Sequence, residues 1–398
     1  MIDESKDKVI LLFSGGLDTS FCVPYLIEHG YDVITLALDP GGFSEHEKNY
    51  IENRSKELGA IKHYMIDIQK ELTDKFISKI IKANALHQGV YPLMCSDRYL
   101  FGKYAIGIAK QEGAVAIAHG CTASGNDQIR VEAPVLLKEN FKIITPIKDL
   151  GITRPEEIKY LEDKGFSVPK EVKKYTLCEN ILGICISGSE VDDNKELPED
   201  AWVISKITKK YPEYIEIEFE GGLPVGFNGY KISLSNILYL LNKIAGSHGY
   251  GRALYVCDQT VGIKGRQAFE APGVLLLVEA HKALEKLVLT NDQLCLKNSM
   301  DYKWTELAYT KIFDPLAKDV FAFIQSTQKF VNGTVKIKLF EKGISLCEIS
   351  SANGLVDESV ATYAQNCTWT GKDIDSFTKF YTLQSKIFYN KNSVDVVG

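Results

Sequence analysis

Two stretches of this chain group the residue types that hold anions and amines. The first is Ser14-Gly-Gly-Leu-Asp-Thr-Ser20, preceded by an apolar run, Val9 to Phe13, that reads as a buried strand. A strand feeding a glycine-containing turn at a helix N-terminus makes a phosphate cradle. Its free backbone N–H groups and the positive end of the helix dipole favour an anion there. Gly15 and Gly16 lack a Cβ, so the backbone can approach the phosphate closely. Ser14 and Ser20 add hydroxyl donors, and Asp18 adds a carboxylate suited to a Mg2+ ion that arrives with the phosphate. Neither G-x-x-x-x-G-K-[ST] nor G-x-G-x-x-G occurs at this turn. The second stretch is His119-Gly-Cys-Thr-Ala-Ser-Gly-Asn-Asp-Gln-Ile-Arg-Val-Glu132, which follows the strand-like run Ala114 to Ala118. Small residues and then Asn126, Asp127 and Arg130 form a second polar loop that leads into a helix.

The elements between these stretches alternate. Asp32 to Leu38 and His63 to Ile66 read as strands, and Lys142 to Pro146 as a further one. Ser44 to Glu47 and Thr153 to Glu156 are capping-box helix starts. A long helix is expected from Glu71 to Leu86, and another runs through Ile106 and Ala109. This alternation predicts a parallel sheet covered on both faces, with ligands at the carboxyl ends of the strands. The residues after Phe13, Leu38 and Ala118 therefore surround one crevice. Beyond residue 170 the alternation stops. Tyr214–Phe219 with Leu223–Phe227, and Thr334–Leu339 with Ile344–Ile349, read as hairpins. Helices are expected at Leu234–Ala245 and Val274–Leu289, and the tail Asp373–Lys391 is amphipathic.

The chain has 398 residues, enough for two or three domains, with 45% hydrophobic and 25% charged residues. A net charge of −6 argues against a nucleic-acid partner. Met1-Ile2-Asp3-Glu4-Ser5 is polar and acidic, unlike a signal peptide, and no apolar run has the length of a membrane-spanning helix. Nine scattered cysteines without a C-x-x-C read as reduced thiols in the cytoplasm.

The string S-G-G-L-D-T-S resembles the PP-loop of the ATP-pyrophosphatase superfamily. With the segment from His119 to Glu132 the resemblance becomes specific to argininosuccinate synthases, although Ala123-Ser124 stands where the family has Gly-Lys. Pro198-Glu-Asp-Ala-Trp202, Ser247-His-Gly-Tyr-Gly-Arg252 and Leu383-Gln-Ser-Lys386 extend it over nearly the full chain. The resemblance implies an α/β parallel-sheet nucleotide-binding domain (PP-loop, adenine nucleotide alpha hydrolase-like), an α+β synthetase domain and a C-terminal helix. The boundaries expected are 1–168 for the PP-loop domain, 169–370 for the synthetase domain and 371–398 for an oligomerisation helix, which in that family reaches across a homotetramer.

The activity implied is a ligase of arginine biosynthesis. It adenylates the ureido oxygen of citrulline with ATP and then joins aspartate, giving argininosuccinate, AMP and pyrophosphate. ATP and the Mg2+ it carries are the expected cofactors, with the protein ligand of the metal left open. Small molecules, neither nucleic acid nor membrane, are the expected partners. By the same resemblance Ser14, Gly15, Gly16, Leu17, Asp18, Thr19, Ser20, Leu38 and Gly120 hold ATP. Thr122, Asn126 and Asp127 hold aspartate, and Asp18, Asp127 and Arg98 are the catalytic set. Tyr91, Ser96, Asn126, Arg130, Thr176, Cys185, Cys257 and Phe269 hold the acceptor. In this last set Thr176 and Cys185 replace serines, Cys257 a glutamate and Phe269 a tyrosine. The pocket is thereby less polar and less anionic, which admits a second reading: a paralogous aspartate-dependent ligase with an acceptor other than citrulline.

Overall fold

The computed structural model describes residues 6–168, 174–363, 367–393 and 395. The polar start Met1–Ser5 lies outside them, as do residues 169–173, where the second expected domain begins. Two compact units divide the chain, 1–353 and 354–398.

The first unit opens with a five-stranded sheet of order β3-β2-β1-β4-β5, every neighbouring pair parallel. Its strands are β1 (Asp7–Leu12), β2 (Tyr31–Asp39), β3 (Lys62–Asp67), β4 (Ala116–Ala118) and β5 (Lys142–Ile144). Side chains alternate between faces. Val9, Leu11, Val33 and Ala116 pack with Phe21, Leu26, Ile51 and Leu161 on one face. Ile10, Leu12, Ile34, Leu36 and Ile117 join a larger core on the other. Covering on both faces explains the near-continuous apolar runs. The helices are α1 (Leu17–Glu28), α2 (Glu45–Glu57), α3 (Gln69–Leu72), α4 (Ser78–Lys82), α5 (Arg98–Glu112), α6 (Asp127–Lys138), α7 (Pro146–Leu150) and α8 (Arg154–Asp163). The capping boxes at Ser44–Glu47 and Thr153–Glu156 both form.

Two expected elements end early. The helix predicted over Glu71–Leu86 is α3, a π-helical turn at Thr73–Ile77 and α4, and it stops at Lys82. Asn84 takes the left-handed conformation (φ 44°), and the N–H groups of Ala85 and Asn84 close on the carbonyls of Ile80 and Ile81. That is a C-terminal cap, which sequence periodicity does not report. The strand predicted to Pro146 ends at Ile144, because Pro146 opens α7.

Two antiparallel sheets follow, of order β10-β9-β8-β13-β14 and β11-β12-β7-β6. The strands are β6 (Thr176–Asn180), β7 (Gly183–Ser187), β8 (Glu213–Glu220), β9 (Leu223–Phe227), β10 (Tyr230–Lys231), β11 (Arg252–Asp258), β12 (Lys264–Glu270), β13 (Gly333–Phe340) and β14 (Gly343–Ser350). Both expected hairpins form. Between them lie α9 (Leu234–Ser247), α10 (Pro272–Val288), α11 (Asn291–Thr310) and α12 (Pro315–Thr327).

The second unit carries α13 (Gly371–Tyr381), opened by a Thr370–Asp373 capping box, and α14 (Leu383–Asn392). The tail is thus two helices parted at Thr382, whose hydroxyl donates back to the Thr378 carbonyl (2.7 Å). Ile374, Phe377, Phe380 and Tyr381 are exposed on it.

Candidate active site

The turn after β1 has the form expected of a phosphate cradle. Gly16 caps α1, and Gly15 sits at φ 74°, where a Cβ would also lie 3.2 Å from Ile51. Glycine is therefore needed there both for conformation and for room. The exposed Ser14 and Thr19 hydroxyls stand 3.2 Å apart, and the Gly16 N–H donates to Ser14 Oγ (3.3 Å). Ser20 is buried and its Oγ accepts from Arg54 Nε (3.3 Å), so its hydroxyl braces α2. The Leu38 side chain is core, at the carboxyl end of β2.

The loop after β4 closes on this turn. A Cβ on Gly120 would lie 3.2 Å from the Asp18 carbonyl carbon and 3.2 Å from Thr19 Cγ2. Beside it His119 accepts from the Cys121 N–H at Nδ1 (3.2 Å), which leaves the proton on Nε2, facing Glu132 (3.1 Å). That ring is a strut of the loop. Under the cradle lies a carboxyl group that sequence reading missed. Glu157 of α8 is 2% exposed. Burial, and after it the charge and hydrogen bond of Asp18, push its pKa up to about 7.

Thr122 and Ser124 pair their hydroxyls at the exposed loop tip (3.3 Å). The start of α6 then carries the charged centre. Asp127 accepts from Arg98 Nε (3.0 Å) and Arg130 Nη1 (3.2 Å). Desolvation works against its charge, but Arg98 and Arg130 hold the pKa below the ordinary carboxylate value. Arg98 also pairs with buried Asp97 (2.9 Å), which Asn180 Nδ2 steadies (3.1 Å). Asn126 donates to the Tyr309 hydroxyl (3.1 Å) and accepts from the Thr260 N–H (2.9 Å). Arg130 Nη2 donates to the Tyr309 carbonyl (3.0 Å). Of the expected aspartate-binding residues, Asn126 is thus tied to α11 and to the β11–β12 turn, and Asp127 to α5 and its own helix.

The expected acceptor positions form a different wall. Tyr91, Ser96, Cys185, Cys257 and Phe269 are all buried. Phe269 and Cys185 are directly opposite in the β12–β7 register. The Tyr91 hydroxyl lies 3.7 Å from Cys185 Sγ, and its ring meets Phe269 edge-on (5.6 Å) and stacks on Tyr255 (5.3 Å). Cys257 Sγ accepts from Gln259 Nε2 (3.0 Å), and Ser96 Oγ donates to the Leu93 carbonyl (2.6 Å). Thr176 is exposed on β6, the strand at the end of its sheet. His87 stacks on Tyr309 (3.7 Å), and burial, then Arg130, lower its pKa to about 4. His87, Tyr255, Tyr309 and Asp97 have no local sequence signal, because each meets the site across a long stretch of chain.

Among the described residues no group of three or more His, Cys, Asp or Glu side chains could hold a metal ion. No helix there is long and apolar enough to cross a membrane.

A parallel sheet whose first turn is an anion cradle, closed by a second glycine loop and an arginine-clamped carboxylate, defines a HUP-type nucleotide-binding enzyme. The family model "Arginosuccinate synthase N-terminal HUP domain" matches residues 8–167, and "Arginosuccinate synthase C-terminal domain" matches 175–388. The chain is 40% identical over 386 residues to the argininosuccinate synthase of Methanocaldococcus jannaschii, covering 95% of this chain and 97% of that protein. It is 38% identical over 402 residues to that of Xylella fastidiosa, covering 98% of each. Against that of Dictyoglomus turgidum the identity is 39% over 389 residues, covering 96% and 98%. The chain belongs to the argininosuccinate synthase family.

Proposed function

We propose that this enzyme adenylates the ureido oxygen of citrulline with ATP and joins aspartate to the activated carbon. The observation that supports the reading is the close approach of Gly120 to the Asp18 backbone and the Thr19 side chain, which brings the loop after β4 against the turn after β1. The ureido oxygen attacks the α-phosphorus and pyrophosphate leaves. The aspartate amine then attacks the ureido carbon, loses a proton, and AMP leaves. Backbone N–H groups at Gly15 to Thr19 receive the phosphates, with Ser14, Leu17 and Ser20 shaping the turn and Leu38 and Gly120 bordering the nucleotide. Thr122, Asn126 and Asp127 position aspartate. Arg98 and Arg130 stabilise anionic charge, and Tyr91, Ser96, Thr176, Cys185, Cys257 and Phe269 surround the acceptor.

Mg2+ enters with ATP. Asp18 and Glu157, electrostatically coupled at the cradle, are the hard oxygen donors that would hold it, and there it would supply positive charge against the leaving pyrophosphate. The division 1–168, 169–370 and 371–398 is proposed from the resemblance, and so is a cytoplasmic homotetramer in which the apolar residues of α13 and α14 meet other copies. Another acceptor, suggested by Cys185, Cys257 and Phe269, is not favoured, because similarity to synthases runs the whole length of the chain.

The test is pyrophosphate release from Mg-ATP and aspartate, with and without citrulline, using Asp18→Ala as the blank. Citrulline-dependent release with argininosuccinate as product is the expected result. ATP binding without such release would overturn the reading.

A further inference from the structure

Away from the cradle, α10, α11 and the end of α4 enclose a polar cluster in the core. His281, Lys297 and Gln328 are wholly buried, and Glu285 is nearly so. Lys297 Nζ donates to the Lys82 carbonyl (2.8 Å), Asp301 (2.6 Å) and Glu285 (2.9 Å). Asn84 Nδ2 donates to Glu285 (2.7 Å) and Asp301 (3.2 Å), and Gln328 Nε2 donates to Glu285 (2.7 Å). Those bonds fix which way each amide points. The amide oxygens are left facing His281: Asn84 Oδ1 at 2.7 Å from Nδ1 and Gln328 Oε1 at 2.8 Å from Nε2. A carbonyl oxygen only accepts, so each ring nitrogen must carry a hydrogen. Turning either amide would set its oxygen against the Glu285 carboxylate.

We infer that His281 is a positioning residue, an imidazolium that through Asn84 fixes the turn leading into the acceptor-side segment 87–98. The inference rests on the reading of that segment as acceptor-side, since it carries Tyr91 and Ser96. Asn84, Gln88 and Leu93 have φ of 44°, 52° and 51°, so the chain between α4 and α5 holds three non-glycine residues in the left-handed region. Such backbone persists only where its surroundings over-determine it. The Asn84 side chain supplies that restraint, bonded to α10 and α11 on three sides. The charged groups facing the ring act in both directions. Burial lowers its pKa, as do Lys297 and Lys82, while Glu285 raises it. Asp301, whose carboxyl burial pushes up to about 7, lies beyond Asn84. The hydrogen bond to Gln328 raises the His281 pKa as well, yet the net direction is below the ordinary imidazole value. What calls for the charged ring is the geometry, an acceptor-only amide oxygen at each ring nitrogen.

Long-range 1H–15N spectra of the full chain labelled at histidine test the charge directly, with His281→Gln identifying the signal. Both ring nitrogens protonated at pH 7 is the expected result, and a neutral tautomer would overturn the inference. Should His281→Gln fail to fold, the signal that shifts in Asn84→Ala identifies the ring. Amide exchange tests the positioning role. In either variant residues 84–93 are expected to exchange about tenfold faster while α1 is unchanged, with KM for citrulline rising about tenfold and KM for Mg-ATP held within about twofold. Exchange that is unchanged, or faster everywhere alike, counts against it. If the unsubstituted enzyme gives no citrulline-dependent pyrophosphate, the functional reading fails, and the spectra and exchange still decide the role of His281.

Discussion

The side proposed to hold nucleotide and amine donor contrasts with the proposed acceptor side in how each is held together. The former is a lattice of charge: Asp97, Arg98, Asp127 and Arg130 in contact, with Asn180 donating to Asp97. The latter is a stack of aromatic rings and thiols, in which Tyr91, Tyr255 and Phe269 pack around Cys185. In a charged lattice each member depends on its partners, since a lone buried charge costs far more than a paired one. An aromatic and thiol wall is held by area and shape, so a single polar change there is felt mainly by the substrate.

This contrast can be broken experimentally, starting with the largest effect. Asp127→Ala strips Arg98 and Arg130 of their shared acceptor and should lower the rate of pyrophosphate release by on the order of a hundred- to a thousandfold. Asp18→Ala should lower kcat/KM for Mg-ATP by about a hundredfold. A loss below about tenfold in either case would show the charged side to be no more interdependent than the other.

On the acceptor side, Cys257→Glu puts a carboxylate where the side chain is 1% exposed. It should lower the melting temperature and, by pairing with the citrulline ammonium, lower KM for citrulline by about tenfold or more. An unchanged KM would place that ammonium elsewhere. Cys185→Ser, a near-isosteric change beside Tyr91, should alter KM for citrulline by only about threefold.

The Asp18–Glu157 pair gives a pH test of the cradle. Folding raises the Glu157 pKa to about 7, so between the unfolded value and 7 the folded state binds more protons. Stability from this group is full in acid and declines as pH rises toward 7. Glu157→Gln removes the decline, and at pH 8 without Mg-ATP it should be about 1–2 kcal/mol more stable than the parent in chemical unfolding. Equal pH slopes for the two proteins would deny the pairing.

What neighbouring residues decide was legible in the chain. The cradle turn, both capping boxes, both hairpins and the alternating strands follow from glycine placement, hydroxyl–carboxylate spacing and apolar runs, all of which act within a few residues. Whole motifs such as Ser14–Ser20 and His119–Glu132 also marked which turns belong to one site. The cap at Asn84 and the break at Thr382 escaped, because a periodic pattern continues through both. Folding alone joined Asn126 to Tyr309 across 183 positions, turned Ser20 toward Arg54, and buried Glu157 against Asp18. Those pairings depend on how sheets and helices stack. A residue's partners and its charge in the core are set by which distant groups the packed layers bring within hydrogen-bond reach.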